Sequence, residues 1–127
     1  ADAAYLERVR IVHGGVVRWA GYALASGEGR GCYRCVFEDL PEGAVDTCSD
    51  AGVVGPLVGV VGALQAWLTT AVAQGDDQAS LVQVDALRGG VIRPRALHPR
   101  ASCALCGDVR TIETLDSARY LMGCALS

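Results

Sequence analysis

Apolar and polar residues fall into blocks of different period along the chain. Residues 8–26 are rich in Val and Ile, with Gly14–Gly15 as punctuation. They predict two extended segments, 9–13 and 16–24, joined by a turn at the glycines. In the second segment Val17, Trp19, Gly21, Ala23 and Ala25 share one face. Residues 26–31 form a glycine-rich loop. Residues 36–52 are polar and acidic, with Pro41 and Gly43, and read as an extended connection. From about Gly55 to Gln74 the pattern is helical and apolar around nearly the whole circumference, which predicts burial on most sides. Gly59 and Gly62 would let a neighbour approach this helix closely, and Gly75 is a natural stop. Residues 79–87 and 91–97 read as strands around Arg88-Gly89-Gly90, a hairpin. Residues 108–127 are less defined, with 111–122 as a modest helix. The expected fold class is α/β: a mixed or antiparallel sheet of about four strands with one long buried helix on one face.

The uncharged stretch from 51 to 75 is also long enough to span a bilayer. A core helix explains it better. Gly52, Gly55, Pro56, Gly59 and Gly62 make a poor start for a lipid-facing helix. Gln65, Thr69, Thr70 and Gln74 interrupt the rest, and acidic residues flank it without Arg anchors. No membrane partner is therefore expected.

The chain has 127 residues, 51% hydrophobic and 20% charged, which fits one globular domain and excludes a disordered tail. The net charge of −3 leaves no general cationic field, so no nucleic-acid partner is expected. All eleven basic residues are Arg. Without a lysine, no step can use a lysine amine, whether to form a Schiff base or to hold a phosphate. No apolar signal segment opens the chain, which suggests a cytoplasmic protein with reduced thiols.

The cysteines carry the most specific chemistry. Cys32 and Cys35 form one C-x-x-C and Cys103 and Cys106 a second, while Cys48 and Cys124 stand alone. Four soft thiolates suit a closed, tetrahedral, structural zinc site. The 67 intervening residues far exceed a zinc ribbon, yet loop-closure cost grows only logarithmically with length. Two disulfides or a redox C-x-x-C are the alternatives, although two independent redox pairs in so small a chain would be odd. His98, five residues before Cys103, is an alternative ligand; as a plain loop histidine it needs no such role, and His13 reads as structural in the same way. Gly107 after Cys106 is what a tight knuckle prefers, for positive φ or close approach. Cys48, in Asp46-Thr47-Cys48-Ser49-Asp50, precedes a helix N-terminus that favours a thiolate, while the two aspartates oppose it.

Several blocks occur in a fixed order: Cys32-Tyr33-Arg34-Cys35-Val36-Phe37, then 47–56 from Thr47-Cys48 to Gly55-Pro56, then 58–66 with Gly59, Gly62 and Gln65. Asp85-Ala86-Leu87-Arg88-Gly89 and Cys103-Ala104-Leu105-Cys106-Gly107 complete the series. Residues 9–107 thereby resemble the C-terminal half of the ThiF/MoeB/HesA family, bacterial relatives of the ubiquitin-activating enzymes with a Rossmann-like fold. The resemblance implies that members adenylate the C-terminal glycine of a ubiquitin-like sulfur carrier ending in Gly-Gly, using ATP and Mg²⁺, for thiamine, molybdopterin or related sulfur chemistry. It implies that Cys32, Cys35, Cys103 and Cys106 hold structural Zn²⁺, and that 37–53 is the crossover loop over the carrier's tail. Cys48 then matches a loop cysteine that bonds covalently to carrier or sulfur-bearing partner in some members, the one catalytic candidate.

The departures are as informative. The family's glycine-rich nucleotide loop, its phosphate-binding Arg and Lys and its metal-binding Asp have no counterpart, and Gly27-Glu28-Gly29 and Gly89-Gly90 do not match a phosphate loop. ATP and Mg²⁺ would enter only through a nucleotide-binding half. Residues 1–107 read as the C-terminal half of the domain and 108–127 as an unassigned tail. Two functions follow as expectations: a portion of the adenylyltransferase that supplies zinc site, crossover loop and carrier surface, or a non-catalytic zinc-stapled module that docks a carrier or partner subunit. Either would expose an apolar surface to its nucleotide-binding half or to a homodimer partner.

Overall fold

The computed structural model describes residues 1–38, 51–76 and 80–120. Four strands form one antiparallel sheet in the order β1 (Ile11–Val17), β2 (Ala20–Ser26), β3 (Leu81–Asp85), β4 (Val91–Arg95). Among the described residues the helices are α1 (Asp2–Leu6), α2 (Tyr33–Val36), α3 (Gly55–Ala73) and α4 (Ser117–Tyr120). The hairpin around Arg88-Gly89-Gly90 is present, with Gly89 and Gly90 both at positive φ. Asp85 Oδ1 fixes it by accepting the backbone N–H groups of Leu87 and Arg88. Pro94 and the exposed Arg93 and Arg95 lie on the edge strand β4, where a missing N–H is tolerated and charge discourages further pairing.

The first hairpin differs from expectation. Gly14 and Gly15 lie inside β1, and the chain reverses at Arg18–Trp19, with Arg18 at φ 53°. The Arg18 backbone is engaged by the segment entering α3: its N–H donates to Gly52 O, and its carbonyl accepts from Val54 N–H. The glycines serve packing instead. A Cβ on Gly15 would come 2.7 Å from the Tyr22 ring, and one on Gly14 would strike Gln65 of α3.

α3 lies across β1 and β2. Its inward residues Leu57, Val61, Leu68 and Ala71 are buried. Leu68 sits on Ala23, Ala25 and Val82, with Val12, Leu64 and Val72 around it. Two alanines on the central strand let the helix come close, and Gly21 continues that row beneath Val61. Pro56 suits the first turn, where its missing N–H costs nothing. Gly75 at φ 79° ends the helix in a Schellman motif, with Asp76 N–H on Ala71 O and Gly75 N–H on Val72 O.

Burial on most sides is not what the chain shows. Val58, Val60 and Trp67 of α3 are 50%, 41% and 47% exposed. Gly59 and Gly62 also face open space among the described residues. The helix is long and apolar enough to cross a membrane by length and composition, but one face of it is committed to the sheet. Its apolar circumference exceeds what the sheet alone can cover.

The opposite face of the sheet carries His13, Tyr22, Leu24 and Leu81. Tyr33 and Phe37 stack over it, with ring centroids 5.0 Å from His13 to Tyr33 and 5.1 Å from Tyr22 to Phe37. The expected helix over 111–122 is one turn, α4, among the described residues. Leu68→Ala should cost about 3 kcal/mol in chemical denaturation, because it empties a sealed site. Trp67→Ala beside it, half in solvent, should move stability of this chain by no more than about 0.5 kcal/mol.

Candidate metal centre

Each C-x-x-C is a tight turn made by local hydrogen bonds. Cys32 precedes α2, and Cys35 N–H donates to Cys32 O at 3.0 Å. In the second knuckle Cys103 N–H bonds Arg100 O, Gly107 N–H bonds Cys103 O and Asp108 N–H bonds Ala101 O, each at 2.9 Å. Gly107 is required there by close approach: a Cβ would stand 2.6 Å from Cys103 O and 2.7 Å from Cys103 N, both backbone atoms that cannot swing away.

The fold joins the knuckles. Gly31 N–H donates to Leu97 O at 3.0 Å, so the chain enters the first knuckle alongside the segment leading to the second. The Arg100 guanidinium donates to Arg34 O at 2.8 Å and pairs with Glu38. All four sulfurs are buried and lie within 4.8 Å of one another. Cys32 Sγ is 3.9 Å from Cys35 Sγ and 3.5 Å from Cys103 Sγ, and Cys35 Sγ is 3.2 Å from Cys106 Sγ. Four thiolates about 2.3 Å from one ion stand about 3.8 Å apart in a tetrahedron, so these four are positioned to hold a metal ion with no position left open. Leu105 and Ile112 pack in the same cluster, with Tyr5, Leu6, Leu97 and Ala104 at its margin.

Burial is the dominant influence on the thiols and opposes ionisation. It pushes Cys32 and Cys106 above the ordinary cysteine value. Burial acts on Cys103 too, but backbone N–H donors of Cys106 and Leu105 outweigh it and bring Cys103 below that value. Without a cation, burial therefore favours the neutral thiol at Cys32 and Cys106.

A second polar group braces the first knuckle. Arg34, between the two cysteines, donates to Asp2 Oδ2 of α1 through Nε at 2.8 Å and Nη2 at 2.7 Å. Tyr120 of α4 donates its hydroxyl to the same oxygen at 2.8 Å. Burial raises the Asp2 carboxyl, but these donors and the Arg34 charge prevail, and its pKa lies below the ordinary value. Residues from both ends of the chain thus meet on the knuckle. Next to them a cavity of about 470 Å³ is lined by His13, Tyr22, Tyr33, Phe37, Arg34 and Tyr120, among others.

The ThiF family model matches residues 1–105. The chain belongs to the ThiF family. Its curated relatives include the adenylyltransferase and sulfurtransferase MOCS3 of Sus scrofa, 37% identical over 96% of this chain and 28% of the relative. MOCS3 of Dictyostelium discoideum is 33% identical over 90% of this chain and 28% of the relative. The SAMP-activating enzyme E1 of Haloferax volcanii is 31% identical over 99% of this chain and 47% of the relative. The chain therefore spans between about a quarter and a half of the length of these relatives.

Within this ThiF chain the structure brings together Cys32, Cys35, Cys103 and Cys106. His98 is exposed and outside the cluster, and His13 packs on Tyr33. Cys48 and most of the 37–53 connection lie outside the described residues, as does Cys124. Asp2, Arg34, Arg100 and Tyr120 were not singled out by sequence reasoning. Arg34 inside one knuckle and Arg100 three residues before the other were the available signal.

Two outcomes are expected. Zinc must displace protons from at least the two raised thiols, Cys32 and Cys106, so apparent zinc affinity should fall by at least about 100-fold per unit as pH drops below neutrality, measured by chelator competition. Asp2→Asn should cost about 2 kcal/mol at pH 7. A depressed carboxyl stabilises the fold above its unfolded pKa and loses that contribution as pH falls through its folded pKa, so the wild-type advantage should vanish in acid denaturation once pH falls below the ordinary carboxylate range.

Proposed function

We propose that this chain is the zinc and crossover-loop portion of an ATP-dependent adenylyltransferase that activates the C-terminal glycine of a ubiquitin-like sulfur carrier in the cytoplasm. The observation that carries the reading is the ThiF match over 1–105 around one four-cysteine cluster. Zn²⁺ fits that donor set and would be structural, since four thiolates leave no position for substrate. In this reading 1–107 form one unit, the carrier is a small protein ending in Gly-Gly, and a partner supplies the nucleotide site for ATP and Mg²⁺. The half-exposed Val58, Val60 and Trp67 of α3 support a partner surface, whether the nucleotide-binding half or a second copy. The described ends of 37–53 support its role as the crossover loop: Phe37 stacks on Tyr22 and Tyr33 beside the cavity, and Gly52–Val54 bonds the Arg18 backbone. Cys48 is the residue proposed to bond covalently to the carrier or its sulfur.

A second reading, a non-catalytic module that docks a carrier or partner subunit, is favoured by one observation: these 127 residues contain no lysine and no glycine-rich phosphate loop. Carrier-dependent ATP–pyrophosphate exchange separates the two. The chain with a nucleotide-binding half should give exchange under the first reading; carrier binding without exchange under the same conditions selects the second. Cys48→Ser should abolish the covalent carrier adduct seen on non-reducing gels and leave zinc content unchanged. Cys32→Ser should instead lower the melting temperature and zinc content together. An adduct that survives Cys48→Ser removes Cys48 from the mechanism.

A further inference from the structure

Three sulfur separations bear on the pairing of the four thiols, and the two shorter ones run between the knuckles. Cys35 to Cys106 is 3.2 Å and Cys32 to Cys103 is 3.5 Å, against 3.9 Å between Cys32 and Cys35 within the first knuckle. Burial divides the same pairs. Cys35 and Cys106 keep 9% and 8% of their surface, while Cys32 and Cys103 keep 1% each. The closest of these three pairs therefore also keeps the most residual surface, and its members come from opposite knuckles.

We propose that the cluster is a peroxide-responsive thiol switch whose oxidised form carries disulfides between the knuckles, Cys35 to Cys106 first and Cys32 to Cys103 second. One sulfur of the outer pair attacks a hydroperoxide oxygen. The O–O bond breaks, an alcohol or water leaves, and a sulfenic acid remains. The partner thiol then attacks that sulfur, the S–S bond forms, and water leaves with the sulfenic oxygen. Two electrons pass from the sulfur pair to the peroxide. A zinc ion held by Cys32, Cys35, Cys103 and Cys106 would lose two of its four thiolates in this step and would be released.

The pairing decides what oxidation does to the fold. Disulfides within each C-x-x-C would close only short local loops and leave the knuckles to separate. Disulfides between them keep residues 32–35 tied to 103–106, so the long loop remains closed. Oxidation then exchanges a metal staple for a covalent one, and the sheet stays anchored.

The test uses the zinc-loaded chain and its Cys48→Ser variant, titrated with hydrogen peroxide. Zinc content is measured beforehand, zinc release is followed with a chromogenic indicator, free thiols are blocked, and the protein is cut with trypsin without reduction. Cleavage after Arg30, Arg34, Arg88, Arg100 and Arg110 places Cys32 in 31–34, Cys35 in 35–88, and Cys103 with Cys106 in 101–110. The expected result is loss of the zinc with about one equivalent of peroxide, 35–88 joined to 101–110. Further peroxide should join all three peptides, and fragmentation between Cys103 and Cys106 should assign Cys35 to Cys106. Peptide 31–34 joined to 35–88 with 101–110 separate would overturn the proposal. So would free thiols or sulfinic acids after excess peroxide. The zinc release rests on the metal reading above. Absence of zinc before peroxide defeats that reading alone, because the same digest still reports the pairing.

Discussion

The closure of residues 32–35 onto 103–106 is the contact on which the rest of the molecule depends. Between them the chain makes the connection into α3, α3 itself and the β3–β4 hairpin. An isolated helix or hairpin is marginal in water, and these elements share a core because the sheet joins strands from inside and outside that interval. β2 precedes the first knuckle and pairs with β3, while β4 leads into the second. Separating the knuckles would remove the anchor that holds β4, and the β3–β4 hairpin with it, at the outer side of the sheet. Four buried thiols hold this closure, and burial resists ionisation of Cys32 and Cys106, so a cation there contributes charge balance as well as bonds.

A second constraint acts on α3. A helix apolar on all sides must be covered on all sides, and the sheet covers one. Small residues such as Gly59 and Gly62 on the outer side weaken the helix intrinsically and have no close neighbour among the described residues. That sequence makes physical sense when something else packs there. In the proposed reading this is the surface that a nucleotide-binding half or a second copy would cover.

Much of this was legible in the sequence because it is local. The hairpin at Arg88-Gly89-Gly90, the start of the helix at Gly55-Pro56, its stop at Gly75 and the paired C-x-x-C turns each follow from a few adjacent residues. The misreadings arose where distant packing overrules local preference. Gly14–Gly15 resembles a turn, but Tyr22 and Gln65 require glycine inside a strand, and the turn falls at Arg18 because residues 52–54 occupy its backbone. The α3 period gave a helix correctly, but hydropathy alone cannot say how much of its surface this chain covers. The Asp2–Arg34–Tyr120 group was not legible, since its members are spread across nearly the whole chain and none is unusual in its neighbourhood.

That group has a geometric consequence. Asp2 and Tyr120 share a hydrogen bond on the first knuckle, so the two ends of the described chain emerge at one corner of the molecule. Polypeptide joined ahead of Asp2 and polypeptide joined beyond Tyr120 would start from neighbouring points. Linker reach for both is then measured from the same origin. Flanking modules would compete for the same volume of space, and a tether beyond Tyr120 would transmit tension to the second cysteine turn before it reached the sheet.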